Sequence, residues 1–421
     1  MSKGKIILIS ILSVLGAALL LAVGLFLYCF FSIKAVGDTG LPRLDVVTEE
    51  PAFKINKEDY IGCTVTLSGA GEEYDFTELD AGIRGRGNST WKLYPKKPYR
   101  IKFEEKTSMF GEKKNKSWVL LAMYNDFSYI KDRIAFTLAD SIGSDDFVPS
   151  YNYVELYING KYKGLYLLTD QVDENKGRAG VKEDFTEEDI EVPFLVELDE
   201  YAPDEGDEGV DYFTVGSRYY TVKYPEADER YTDAQFEYIK SYIETVDALT
   251  AKKNVTVEEL SEYIDLQSFM DFYIVQELMG QTEINFKSVY MSKEIGGKLK
   301  MGPVWDFDWA VNGPYLTKYR NVNAERFEGL CSGDNFFGRL YHGSPEFRRA
   351  LSDRYLEVKD KLAEAIDKVA EEKEALSLAV KKDKLRWHVF HFKADFEERS
   401  DEVVEWLHKR LLWMDEAFVY A

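Results

Sequence analysis

Cysteine is scarce: Cys29, Cys63 and Cys331 are the only three in 421 residues. So few cysteines build neither a disulfide framework nor a cysteine zinc site. Cys29 falls inside an apolar N-terminal run, which leaves Cys63 and Cys331 either to pair or to stay free. Histidine is as sparse. His342, His388, His391 and His408 are scattered, with no metal-ligand cluster outside the C-terminal region. Basic residues are outnumbered, with 53 Lys and Arg against 75 Asp and Glu and a formal net charge of −22. Nucleic-acid binding wants a basic footprint, so no nucleic-acid partner is expected; the acidity suits solubility. What is present is apolar and aromatic. A hydrophobic share of 45%, with 28 Tyr and 26 Phe, is ample for packed cores and excludes general disorder. At 421 residues the chain is too long for one small core, so one large or two coupled domains are expected.

Residues 1–5 include Lys3 and Lys5, and residues 6–33 carry no charge, a run of 28 that can span a bilayer with some tilt. Tyr28, Phe30 and Phe31 sit near its far end like an interfacial belt. The run is longer than a signal-peptide core and no A-x-A-like site follows it cleanly. It therefore reads as an uncleaved signal anchor rather than a cleaved signal peptide. The positive-inside rule puts residues 1–5 in the cytoplasm and the following domain outside, although Lys34 and Arg43 weaken that bias. Residues 34–44, with Gly37, Gly40 and Pro42, read as a linker.

Residues 45–125 are strand-rich. Gly82–Trp91 puts three glycines and two arginines, Arg84 and Arg86, in one loop that could cradle an anion. The competing reading is a tight turn with salt-bridged arginines. In Lys96–Phe103, Tyr99, Ile101 and Phe103 alternate with Arg100 and Lys102, as in a half-buried strand with one basic face. Trp118–Met123 is a buried strand or short helix. Ile130, Ile134, Leu138 and Ile142 predict an amphipathic helix over 128–142, closed by Gly143. Alternation on both sides of Asn159-Gly160 predicts a two-residue hairpin. Residues 183–211 hold fourteen acids and no Lys or Arg, broken by a strand at Phe194–Leu198. Helices are predicted over 232–248, 256–264 and 266–279, the last with one broad apolar face. A polar loop, 281–287, follows, and a second hairpin runs from Ser288 through Gly296-Gly297 to Trp305. It delivers the chain to Asp306 and Asp308, wedged between Trp305, Phe307 and Trp309. Acids in so apolar a run need a cation or a hydrogen-bond donor, and a divalent metal would serve. From 335 onwards the pattern is helical, with Trp387, Phe390, Trp406, Leu411 and Trp413 on buried faces.

The order of these parts is that of a phosphoryl-transfer site: a glycine-rich loop, a basic strand, a helix followed by a polar loop, then a hairpin ending in acids. The usual kinase motifs V-A-I-K, H-R-D and D-F-G are all missing. Arg84-Gly-Arg-Gly-Asn-Ser-Thr-Trp91, Lys96–Phe103, Tyr157-Ile-Asn-Gly-Lys-Tyr-Lys-Gly-Leu-Tyr166 and Gly302-Pro-Val-Trp-Asp-Phe-Asp308 together resemble the CotH family of spore-coat-protein-H-like atypical kinases. The resemblance covers roughly residues 42–350. It implies an α+β, divergent kinase-like two-lobed fold over residues 45–335, with an N-lobe of about 45–175 and a C-lobe of about 176–335. A helical region, 336–421, follows. It also implies ATP and Mg2+ or Mn2+ as cofactors and transfer to Ser or Thr of surface or coat proteins.

Residue by residue, Asp306 matches the family's metal-binding Asp and Asp308 its second acid. Glu283 stands where the family usually has an Asp as catalytic base. Asn285 or Ser288 is a further metal-ligand candidate. Lys102 fits the phosphate-holding strand lysine, Arg84 and Arg86 are phosphate contacts, and Asp170 and Gln171 are hinge positions near the adenine. The competing readings are helix-capping acids at 306 and 308, a surface strand lysine at 102 and an ordinary loop carboxylate at 283. Glu in place of Asp at 283 also leaves open a kinase-like binding or assembly module with weakened chemistry.

Overall fold

The computed structural model describes residues 3–143, 147–207, 210–226, 231–311, 327–387 and 395–420. Helix α1 (Lys3–Val36) is apolar enough over Ser10–Val36 to cross a membrane or to serve as a signal sequence. Seven strands follow: β1 (Arg43–Thr48), β2 (Ile61–Ser68), β3 (Phe76–Gly85), β4 (Tyr99–Thr107), β5 (Asn115–Leu121), β6 (Asn152–Ile158) and β7 (Lys161–Asp170). They close into a barrel in the order β1-β2-β3-β4-β5-β7-β6, with β6 pairing parallel to β1. The period-2 pattern explains the interior. Tyr99, Ile101 and Phe103 of β4 point in and are buried, while Lys102 points out and is exposed. β5 and β7 are apolar on both faces because both are covered. Trp118, Leu120, Tyr166 and Leu168 fill the barrel, and Val119, Leu165 and Leu167 join a second core outside it.

That second core is built on a five-stranded antiparallel sheet in the order β12-β11-β8-β10-β9. Its strands are β8 (Phe194–Leu198), β9 (Tyr212–Val215), β10 (Arg218–Tyr224), β11 (Val289–Lys293) and β12 (Lys300–Met301). The helices are α2 (Ser89–Leu93), α3 (Lys131–Ser141), α4 (Ala202–Asp207), α5 (Asp233–Ala251), α6 (Val257–Ser261), α7 (Leu266–Leu278), α8 (Phe336–Gly343), α9 (Pro345–Glu372), α10 (Ser377–Trp387) and α11 (Phe396–Ala417). α5 starts at a capping box between Thr232 and Gln235. α3, α5, α7, α9 and α11 share one continuous core with the sheet.

The architecture is mixed α+β with a helical C-terminal region. The N-terminal half closes on itself as a barrel, so the strand order alone does not present a two-lobed kinase-like arrangement. Several local expectations change. Gly82–Gly85 belong to β3, so the glycine-rich loop shrinks to a few residues before α2. Gly85 is needed for closeness: a Cβ there would lie 2.4 Å from the Trp91 ring. The return strand of the second hairpin is only Lys300–Met301. α7 is buried on every side over Phe269–Leu278 rather than on one broad face. Cys63 and Cys331 are both free. His388, Phe390 and His391 lie outside the described residues.

Candidate active site

A cavity of about 330 Å³ opens between the barrel and the second core, lined by Arg84, Arg86 and Arg100 on one side and Lys287, Ser288 and Asp306 on the other. The acidic side is set by two segments. After α7, Gly280 takes a left-handed φ of 62° and the chain makes a 3-10 turn, Thr282–Asn285. The Gln281 side chain joins the two segments: its Nε2 donates to the Asp306 carbonyl at 2.6 Å and its Oε1 accepts from Glu283 N at 3.2 Å. The apolar residues beside the acids are the anchors. Phe307 is fully buried, and Trp305 stacks on Phe136 of α3 with centroids 6.0 Å apart. Phe307 N donates to Asp132 Oδ1 at 2.9 Å, which ties the turn to α3.

Glu283 Oε1 meets Lys287 Nζ at 2.8 Å, one helical turn along, and Lys287 Nζ lies 3.7 Å from Asp306 Oδ2. Ser288 Oγ donates to the same Asp306 oxygen at 3.0 Å. Asp306 and Ser288 both hold left-handed backbone, φ 66° and 57°. Such a conformation costs a non-glycine residue about 1–3 kcal/mol and persists only where the surroundings over-determine it.

Negative charge is crowded here. Burial, then Asp306, pushes Glu283 up to about 7, with Lys287 opposing. Burial also lifts Asp132 to about 7 against the Phe307 N–H, and Asp306 adds to the rise. Asp308 is pushed well above the carboxylate range by burial, then by Asp306 and Glu283. Burial works against Lys287, yet Asp306 and Glu283 raise its ammonium above the usual lysine value, so it stays charged. Glu283 Oε2 is buried with no hydrogen-bond partner. Hard carboxylate and hydroxyl oxygens short of positive charge fit a divalent cation. Among the described residues no three His, Cys, Asp or Glu side chains form a ready metal site. A Mg2+-type ion needs only one or two carboxylates from the protein, the rest of its shell coming from substrate phosphates and water.

The opposite wall is basic. Arg84 and Arg100 face each other across the β3–β4 pairing. Arg84 Nη1 donates to the Lys57 carbonyl at 3.3 Å and Arg100 Nη2 to Ser117 Oγ at 3.1 Å. The Nε–H groups of both are buried without an acceptor. Arg86 lies over the Trp305 ring at 5.6 Å.

A family model described as CotH kinase protein matches residues 83–414. The chain belongs to the CotH kinase family. Comparison with curated proteins gives no match. The CotH match runs from β3 through α11, so the C-terminal helices are included in it.

Within this CotH chain, Arg84, Arg86 and Asp306 converge on the cavity. Glu283 sits behind Asp306, joined to it through Lys287, and Asp308 joins the same acidic cluster. Two candidates do not converge. Lys102 is exposed on the outer face of β4 and does not line the cavity. Arg100, one pleat repeat earlier on the same face, takes the place expected for it. Asn285 is engaged elsewhere. Its Oδ1 accepts from Gly333 N at 2.7 Å and Asn335 Nδ2 at 2.9 Å, so both lone pairs are used, and Nδ2 donates to the Thr282 and Cys331 carbonyls. It fastens the loop rather than facing a metal, and Ser288 is the residue at Asp306. Of the hinge pair, Gln171 lines the cavity, while Asp170 accepts from Ser150 N and pairs with Arg178.

Sequence reasoning missed Lys287, Asp132 and Arg410. Lys287 could have been found from its four-residue spacing to Glu283. Asp132 carried no signal, since an acid in the first turn of a helix is ordinary. Arg410 of α11 pairs with buried Glu277 at 2.9 Å and donates to the carbonyls of Phe327 and Gly329. Glu277 in turn accepts from Cys331 N and Ser332 N, both at 2.8 Å. A polar chain thus runs from α11 through Glu277 and the 329–335 segment to Asn285 and the loop that carries Glu283.

Proposed function

We propose that this CotH kinase family member is a membrane-anchored, ATP-dependent protein kinase that transfers the γ-phosphoryl group to Ser or Thr of surface or coat proteins. The observation that carries the reading is the opposition, across one cavity, of arginines with buried donors that lack acceptors and an acidic turn, with a half-satisfied, raised-pKa carboxylate behind that turn. Arg84, Arg86 and Arg100 bind the nucleotide's phosphate oxygens, where charge-assisted and bidentate bonds are strongest. The acceptor hydroxyl gives its proton to Glu283, which lies behind Asp306 and off the cavity lining, so the acidic turn must shift on substrate binding to open the buried Oε2. A base that titrates near neutrality is suited to this step. Lys287 stays protonated, orients Glu283 through Oε1 and offsets the charge of Asp306. Asp306 and Asp308, with the Ser288 hydroxyl, would hold Mg2+ or Mn2+, which when bound neutralises phosphate charge. Asp132 and Gln281 hold the acidic turn in place. On this reading the barrel forms the N-lobe, within about 45–175, and the second core forms the C-lobe of about 176–335 together with α3 and the C-terminal helices. α1 is the anchor, with residues 1–5 in the cytoplasm and the domain outside.

The test uses the full chain in detergent with labelled ATP and Mg2+ or Mn2+. Label should appear on Ser or Thr, of the chain itself or of an added protein. Nucleotide should raise the melting temperature, and Asp306→Asn should abolish transfer. Absence of both label and thermal shift would remove the kinase reading in favour of a binding or assembly module. Transfer that survives Asp306→Asn would show that the site is misassigned.

A further inference from the structure

α10 is an unusual piece of an acidic protein. Lys381, Lys382, Lys384 and Arg386 fall within its eleven residues, against one acid, Asp383. It packs on α1. The half-buried side chains described on α1 are Leu25, Cys29, Ser32, Ile33 and Val36, one stripe at the C-terminal end, and the Lys382 ammonium donates to the Gly37 carbonyl at 3.4 Å. Leu25 lies about 12 Å along the helix axis from Ile33, at 1.5 Å per residue. The headgroup layer of one leaflet is roughly 5–8 Å deep. If α1 spans a bilayer by its uncharged stretch, a helix packed on this stripe meets the headgroup layer.

The position of α10 against the barrel is fixed by buried contacts. Asp383 Oδ1 pairs with Lys96 at 2.8 Å, both side chains fully buried, and accepts from Leu165 N at 2.8 Å. Tyr129 donates to Asp383 Oδ2 at 2.9 Å, and Trp387 Nε1 donates to the Lys163 carbonyl at 2.7 Å. Gly164, at φ 130°, leaves no room for movement: a Cβ there would lie 2.3 Å from Asp383 Oδ1. Lys382 pairs with Glu155 at 2.9 Å. Asp383 and Glu155 are therefore consumed within the protein. Lys381 and Arg386 are exposed on α10, and Lys161 and Lys163 stand beside its C-terminal end at the start of β7. Burial, then Arg386 and Lys161, pulls the Lys163 ammonium below the usual lysine value, so these cations repel one another.

We propose that Lys381, Arg386, Lys161 and Lys163 form a surface that binds anionic phospholipid headgroups beside the exit of α1, so that the barrel sits on the membrane in one orientation. This rests on the reading of α1 as a membrane anchor. A lysine or arginine near an anionic surface gains about 1 kcal/mol, which is about fivefold in occupancy per cation.

The test is lysine acetylation, read peptide by peptide, on the full chain in nanodiscs of phosphatidylcholine alone or mixed with phosphatidylglycerol. Exposed Lys253, past the end of α5, serves as reference. Lys161, Lys163 and Lys381 should react about fivefold more slowly in the anionic discs, with Lys253 unchanged. High salt should erase the difference, and so should K381E/R386E, both surface positions. Equal reactivity in the two disc types, in a chain that has entered both, overturns the headgroup surface and leaves the anchor standing. A chain that enters neither disc overturns the anchor, and this proposal with it.

Discussion

Replacing Glu283 with Gln should stabilise the protein and silence it. The side chain is 4% exposed and its carboxyl is carried from 4.5 to about 7, first by burial and then by Asp306. Each tenfold change in proton affinity is worth about 1.4 kcal/mol, so keeping Glu283 ionised in the fold costs roughly 3 kcal/mol. The sign follows from the direction. An unfolded Glu ionises near 4.5, so the cost is absent below that pH, grows as pH rises towards 7 and is complete above it. Gln carries no charge at any pH and keeps an oxygen for Lys287, while its amide can use the space at Oε2. In metal-free buffer at pH 8, Glu283→Gln should therefore raise Tm by about 3 °C, given about 1 °C per kcal/mol for a chain of this size. The advantage should vanish near pH 4.5. Phosphoryl transfer should fall by about 10²–10⁴, the usual contribution of a general base, with nucleotide affinity kept. Stability and activity then move in opposite directions, as at sites where function is held against the fold. A variant that melts earlier than wild type at pH 8, or keeps its transfer rate, would refute the reasoning: the first outcome would make Glu283 a structural partner of Lys287, the second would remove it as base.

Two further outcomes follow from the site's walls. Arg100→Ala should weaken nucleotide binding about tenfold or more, since a hydrogen bond to a charged group is worth about 1.5–3 kcal/mol, whereas Lys102→Ala should stay within about twofold; calorimetric titration with nucleotide separates them, and the reverse order would restore Lys102. Arg410→Lys keeps the buried charge opposite Glu277 but loses the fork that reaches Phe327 and Gly329. It should lower transfer about tenfold at unchanged nucleotide affinity, given about 1.5 kcal/mol for one lost charged hydrogen bond, and should speed modification of the Cys331 thiol; a shift in affinity alone would detach α11 from the site loop.

Much of the local structure was legible because it is written in neighbouring residues. Asn159-Gly160 has positive φ at both positions and makes the expected hairpin, and the helix marked by Ile130, Ile134 and Leu138 forms. The acidic turn was legible for the same reason: Trp305 and Phe307 flank Asp306, and burying them forces the acids to find partners. What failed depended on distant pairing. Alternation gives the face of β4, but where the cavity lies along that face is decided by the pairing of Arg84 with Arg100, which leaves Lys102 one repeat outside the lining. Asn285 is the right residue type for a ligand, but its amide is consumed by residues 331–335, nearly fifty positions away. Barrel closure rests on β1 pairing with β6, more than a hundred residues later, and periodicity carries no information about that.

The local irregularities around the cavity constrain what can bind there. Buried polar groups are normally satisfied, and non-glycine residues normally avoid left-handed backbone. Around this cavity those rules fail together: Asp306 and Ser288 are left-handed, Arg84 and Arg100 keep unmet Nε–H donors, and Glu283 keeps an unmet oxygen. On one wall the deficit is acceptors for arginine; on the other it is positive charge for carboxylates. A neutral sugar would supply no charge to the acids, and a simple anion would answer the arginines while worsening the crowding at Asp306. On the proposed reading a polyphosphate carrying a divalent cation would meet both needs at once, its oxygens answering Arg84 and Arg100 and its cation the acids at Asp306 and Asp308.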